Sequence, residues 1–93
     1  MFVAEVLIQI KLPGCSSLKE KRHRVSKIRD KFGKQTQVAV CESGYQDDHK
    51  LSQWSMFVVA EDKVTVEKIA KNIESDIQMS VDGVIFRFEF NWI

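Results

Sequence analysis

Eight basic side chains fall within residues 17–34: Lys19, Lys21, Arg22, Arg24, Lys27, Arg29, Lys31 and Lys34. Only Glu20 and Asp30 oppose them there, a surplus of six positive charges in a chain whose whole net charge is +1. Ammonium and guanidinium groups gathered this densely are suited to neutralising phosphate or carboxylate on a partner. The rest of the chain is correspondingly acidic, so any argument for an anionic partner is local.

Placed at 100° per residue on a helix, Lys19, His23, Lys27 and Lys34 lie opposite the apolar stripe, with Lys31 at its margin. Arg22, Arg24 and Arg29 flank the stripe, where their stems can lie over apolar neighbours. Lys21 falls near the stripe itself and is expected to snorkel out. Glu20–Arg24 and Asp30–Lys34 are favourable i,i+4 pairs, whereas Lys27–Lys31 is a like-charge pair. Lys19 and Lys21 stand at the positive end of the helix dipole, where cations are disfavoured. Two readings stand side by side: an anionic partner, with RNA phosphate the first to test, or a plain solvated face.

Other reactive residues are sparse. Cys15 and Cys41 lie 26 positions apart without a C-x-x-C pair, and both are expected as reduced thiols. Cys15 follows Pro13-Gly14 near a helix start, a place where a thiol pKa can fall; the simpler reading is a tolerated loop residue. Cys41 is read as a small core or sheet residue. Tyr45, Gln46 and Asp47 are loop candidates. Asp47-Asp48-His49 reads as a polar turn, because adjacent residues converge poorly on one metal ion. There is no P-loop or dinucleotide fingerprint, and no nucleophile–base–orienter set. The expectation is a non-enzymatic chain with no cofactor, no metal and no small-molecule substrate.

The elements that must position these residues follow from periodicity. Residues 2–12 alternate as a strand, with Val6, Ile8, Ile10 and Leu12 on one side and Glu5, Leu7, Gln9 and Lys11 on the other. Pro13-Gly14 stops it. Residues 18–32 read as a helix: Ser17 and Glu20 form a capping box, Leu18, Val25, Ile28 and Phe32 a buried stripe, and Gly33 a stop. Thr36–Glu42 is a short strand, 43–50 a polar turn, and 51–61 a third strand. Residues 64–79 form a second helix with Val66, Ile69, Ala70, Ile73 and Ile77 on one face. After Asp82-Gly83, Val84–Ile93 is a last strand whose Phe86, Phe88, Phe90 and Trp92 are expected to pack under the helices.

The order β-α-β-β-α-β is the split βαβ arrangement. It predicts an α+β, ferredoxin-like sandwich: a four-stranded antiparallel sheet of order 4-1-3-2 with two helices on one face. Residues 1–93 read as one domain. A chain of 93 residues that is 44% hydrophobic and 29% charged is neither disordered nor membrane-spanning by composition. Its first residues lack the basic n-region of a signal peptide, so a cytoplasmic location is expected. Other uses of this fold fit poorly. Metal delivery wants two thiols in the first loop, acyl-phosphate hydrolysis an Arg there, and base stacking needs outward aromatics on the middle strands, where only Phe57 offers.

Leu12-Pro13-Gly14-Cys15-Ser16-Ser17-Leu18-Lys19-Glu20-Lys21-Arg22 resembles the signature of the YlxP-like family of small bacterial proteins of unassigned function. The likeness continues more loosely through Val38–Glu42 and Gln46-Asp47, and length and element order agree throughout. Where the family often has a Trp and then an Arg after Gln46-Asp47, this chain has Asp48, His49, Lys50 and Leu51; Ser55 stands for a nearby Gly. The resemblance implies a ferredoxin-like fold and, through gene neighbourhoods, a setting in translation initiation or ribosome maturation. Lys19, Glu20, Lys21 and Arg22 match outright. A helix start of this kind exposes N–H groups that suit phosphate; the alternative is that Lys21 and Arg22 pair with carboxylates such as Glu42 or Glu5.

The expected function is therefore binding of ribosomal or other structured RNA through the basic first helix. The alternative is a dimeric protein-interaction module using the open sheet face or the last strand, which is long, aromatic and thinly guarded by charge.

Overall fold

The computed structural model describes residues Met1–Ile93. Its elements are β1 (Phe2–Lys11), α1 (Leu18–Phe32), β2 (Val38–Gly44), β3 (Leu51–Ala60), α2 (Lys63–Ser80) and β4 (Val84–Trp92). The βαββαβ order of a ferredoxin-like α+β domain is thus present. The sheet runs β2-β3-β1-β4 with every pair antiparallel, the expected neighbours read from the opposite edge. Element ends shift by one or two residues from the periodicity reading; the largest change is β2, which starts later and runs on to Gly44.

β3 and β1 are the two interior strands, and both alternate between a buried and a more open face. In β1, Ala4, Val6, Ile8 and Ile10 are buried toward the helices, while Val3, Glu5, Leu7 and Lys11 face the other side. Ser52, Trp54, Met56, Val58 and Ala60 of β3 share its inner face. Val25, Ile28 and Phe32 of α1 and Val66, Ala70, Ile73 and Ile77 of α2 close over them in one core cluster of 19 buried residues. No helix is long and apolar enough to cross a membrane.

The turns are chemically specified. Gly14 takes φ 73°, a left-handed conformation that glycine adopts without steric cost. The Ser17 hydroxyl accepts from the Glu20 N–H at 3.1 Å, and Glu20 accepts from the Ser16 N–H at 3.0 Å, so the first turn of α1 is capped from both directions. Asp62 caps α2 by accepting from the Thr65 N–H at 2.7 Å.

The last strand corrects the expectation of one aromatic stripe. Gln9 pairs with Arg87 but Ile10 with Ile85, so a β-bulge leaves Phe86 unopposed. The extra residue reverses the facing: Ile85, Phe88, Phe90 and Trp92 share the helix side, whereas Phe86 turns to the open face, beneath the Lys11 ammonium 5.8 Å from its ring centre. The helices cover this edge thinly, and Trp92 stays 40% exposed. Cys41 is likewise on the open face of β2 and exposed, a sheet residue and not a core one.

Candidate nucleic-acid interface

The structure sorts the eight cations of residues 17–34, seven on α1 and Lys34 just past its end, by what each touches. Lys21 does not snorkel. It is 2% exposed, and its Nζ donates to the Tyr45 carbonyl at 2.5 Å and the Asp48 carbonyl at 2.7 Å, with Glu42 Oε2 at 3.7 Å. A buried ammonium persists only when paired and hydrogen-bonded; here two carbonyls of the 45–48 turn and one carboxylate meet that need. Tyr45 itself sits at φ 57°, a bent conformation that aims its carbonyl at the amine.

Arg24 is also committed to structure. Its guanidinium donates to the Pro13 carbonyl at 2.9 Å and, through Nε and Nη2, to the Asp82 carbonyl; Glu20 lies 3.7 Å and the Asp82 carboxylate 3.5 Å away. One side chain therefore ties the loop after β1 to the turn before β4. Lys31 pairs with Asp76 of α2 at 3.2 Å.

The other five, Lys19, Arg22, Lys27, Arg29 and Lys34, have no carboxylate oxygen within 4.0 Å. All five are exposed. Lys27 touches the Ser80 carbonyl at 3.5 Å, and with Lys31, Lys34 and Asp30 it rims a shallow depression. Arg29 lies over the Trp54 ring at 5.6 Å, a cation–π contact.

Arg22 and Arg29 stand at one side of a cavity of about 220 Å³ between α1 and β2, floored by Leu18, Val25 and Trp54 and closed by Glu42 and Gln46. Beneath it runs a polar chain. The Trp54 indole donates to Ser52 Oγ at 2.8 Å, the Ser52 hydroxyl to Glu42 Oε2 at 3.2 Å, and the same carboxylate faces Lys21. Of the loop candidates, Gln46 reaches this cavity, donating to the Glu42 carbonyl at 3.1 Å; Tyr45 and Asp47 do not line it. Glu42 and Trp54 are absent from the site residues that the sequence pattern picks out. The sequence reading did offer Glu42 as a carboxylate partner of Lys21, and the 3.7 Å pair bears that out for Lys21 though not for Arg22; what it lacked was the cavity that Glu42 closes.

Cys15 is buried, and its thiol donates to the Ser17 carbonyl at 3.5 Å. Burial pushes the thiol pKa up, with a hydrogen bond to Glu20 adding to it. The helix start does not activate this cysteine.

A ferredoxin-like domain with an unbalanced cationic helix over one half of its sheet is the class that fold and geometry define. The chain belongs to DUF503, a family described as proteins of unknown function, whose model matches residues 3–90. No curated protein matches the chain.

Proposed function

We propose that the protein is a non-enzymatic, cytoplasmic binder of ribosomal or other structured RNA, and that α1 makes the contact. The observation that carries this reading is the group of five exposed cations that lack a carboxylate partner, four on α1 and Lys34 just past its end. A helix surface selected for stability alone would mix signs, since like charges at this spacing destabilise. The resemblance to the YlxP-like family, with its translation and ribosome-maturation setting, points the same way. Lys21 and Arg24 serve the reading indirectly, by fixing the turns at either side of the helix.

The open sheet face is the weaker candidate for phosphate. Glu5 lies beside Phe57 across β1 and β3, and Arg87 is cancelled by Glu89 at 2.9 Å. Contacts through lysine and arginine ends go mostly to phosphate, so selectivity would rest on RNA shape.

Four to six phosphate contacts imply a log–log slope of affinity against salt of about −3 to −5. A titration of the chain against 30S and 50S ribosomal subunits, and against their extracted RNA, over increasing salt measures it. Lys27→Glu and Lys34→Glu should each weaken binding and flatten the slope by roughly one or more. A flat slope, or affinity unmoved by both substitutions, sinks the reading.

A further inference from the structure

The sheet has two free edges, β2 and β4, and the main-chain polarity of β4 is fixed by one hydrogen bond. The Ile93 N–H donates to the Val3 carbonyl at 2.9 Å, which makes Val3 and Ile93 a hydrogen-bonded pair of an antiparallel ladder. Two residues at a time along the observed register, Asn91, Glu89 and Arg87 also point their main-chain groups at β1. The N–H and C=O groups of Phe88, Phe90 and Trp92 therefore point away from the sheet. The same three residues carry their side chains into the cleft between β4 and α2, which Glu67, Ala70, Lys71 and Glu74 complete. An edge with open main-chain groups and an aromatic row above them is a template for another strand.

We infer that this strand is a second copy of β4, paired antiparallel about a two-fold axis at Phe90. The observations select both partner and register. Centring on Phe90 sets Phe88 opposite Trp92 of the other copy on the helix side, and Glu89 opposite its Asn91 on the open side. All three outward residues are then hydrogen-bonded, and the ladder stays within 87–93, clear of the bulge at Phe86. Centring on Glu89 brings two carboxylates face to face, which is repulsive. Centring on Phe88 drives the bulge into the ladder. Centring on Asn91 pairs only Phe90 with Trp92 and leaves the Phe88 groups open, so the Phe90 register is the one that satisfies all three outward residues without facing carboxylates or the bulge. The aromatic rows of two copies meet over the joined sheets, covering side chains that one copy leaves half exposed.

The joined structure is an eight-stranded sheet with four helices on one face. The proposal does not depend on RNA binding: α1 lies toward the β2 edge and stays uncovered.

Sedimentation from about 1 to 300 μM tests it, with substitutions at exposed Asn91. Asn91→Asp places carboxylates opposite Glu89 twice and should weaken dimerisation by about tenfold; Asn91→Lys places ammonium there twice and should tighten it by about tenfold. Glu5 flanks position 91 within the chain, so thermal melts check that each variant is folded. In a Cys41→Ser background, Glu89→Cys with Asn91→Cys should oxidise to a covalent dimer, because residues 89 and 91 of the two copies form a close non-hydrogen-bonded pair. A monomer throughout the concentration range overturns the inference. So does a dimer indifferent to both Asn91 variants and refractory to cross-linking, which would place the interface elsewhere, for instance on the open sheet face.

Discussion

Lys21 shows what a single residue's position in a helix can and cannot reveal. Its angular position, on the buried side of α1, follows from counting residues. What lies above it does not, because the 45–48 turn arrives from more than twenty residues away. A lysine at that angle either escapes to solvent or finds acceptors, and the acceptors here are main-chain carbonyls, which no side-chain pattern encodes. Replacing it with Met keeps the stem and removes the charge. That leaves the carbonyls of Tyr45 and Asp48 and the Glu42 carboxylate short of a donor, at an expected cost of about 2–4 kcal/mol in denaturant unfolding. Amide exchange should quicken in residues 45–50 first. Arg22→Ala, with no partner to lose, should stay within about 0.5 kcal/mol; equal losses for the two would refute this division of labour. The cysteines offer a second check at this scale. Cys41 is exposed and Cys15 is not, so a thiol reagent should modify one site per native chain quickly and the second only on unfolding. Because the folded Cys15 thiol has a raised pKa, the native state holds its proton longer than the unfolded chain. Its contribution to stability is therefore whole below the ordinary thiol range and declines as pH rises through it.

At the scale of elements, legibility tracked how local the cause was. Both helices are readable because their caps and stripes lie within the segments they organise, and β1 because it alternates without interruption. The bulge in β4 was not readable. The alternation of Phe86, Phe88, Phe90 and Trp92 is unbroken in sequence, and the slip arises only when Gly83 brings the strand in against β1. A Cβ on Gly83 would meet the Lys11 carbonyl at 2.8 Å and Ile10 Cγ2 at 2.9 Å. Gly83→Ala should thus push β4 off its neighbour and cost about 1–3 kcal/mol, read from the denaturation midpoint. The candidate interface was legible to the same degree: the cations could be counted, but which were already neutralised depended on Asp76 and Asp82, residues of another helix and another turn. The caps also set the response to acid. Hydrogen bonds from Cys15 and the Ser16 N–H hold the Glu20 carboxyl below the usual carboxylate range, and the Thr65 N–H does the same for Asp62. Both groups bind fewer protons folded than unfolded. The stability they add is present above the ordinary carboxylate range and is lost as pH falls through their folded values. Glu20→Gln with Asp62→Asn should flatten the acid limb of a stability–pH curve; an unchanged limb would show that other carboxylates govern it.

Across the whole molecule, charge is segregated: α1 holds the surplus cations, and the compensating acids lie elsewhere in the chain. Such an arrangement separates two explanations of the basic helix by sign. If the cations are kept for a polyanion, they cost the free protein stability, because Lys27 and Lys31 repel and Lys19 opposes the helix dipole near the N-terminus. If they are simply a solvated face, the same relief of repulsion should come with no loss of binding. Lys19→Glu brings an acid to the end of α1 where acids are favoured, and Lys27→Glu creates a Glu–Lys pair with Lys31 in the favourable i,i+4 order. Together these changes should stabilise the chain by about 0.5–1.5 kcal/mol at low salt, a rise in Tm of several degrees for a domain of this size. Added salt should shrink that gain, since it screens the repulsion being relieved. The same double variant should lose most of its affinity for ribosomal subunits. A more stable protein that binds less is the signature of a surface held away from its stability optimum for a purpose. A double variant that binds as before, whatever its stability, would leave the helix as ordinary solvated surface, and calorimetric melts beside a salt-dependent binding series decide between them.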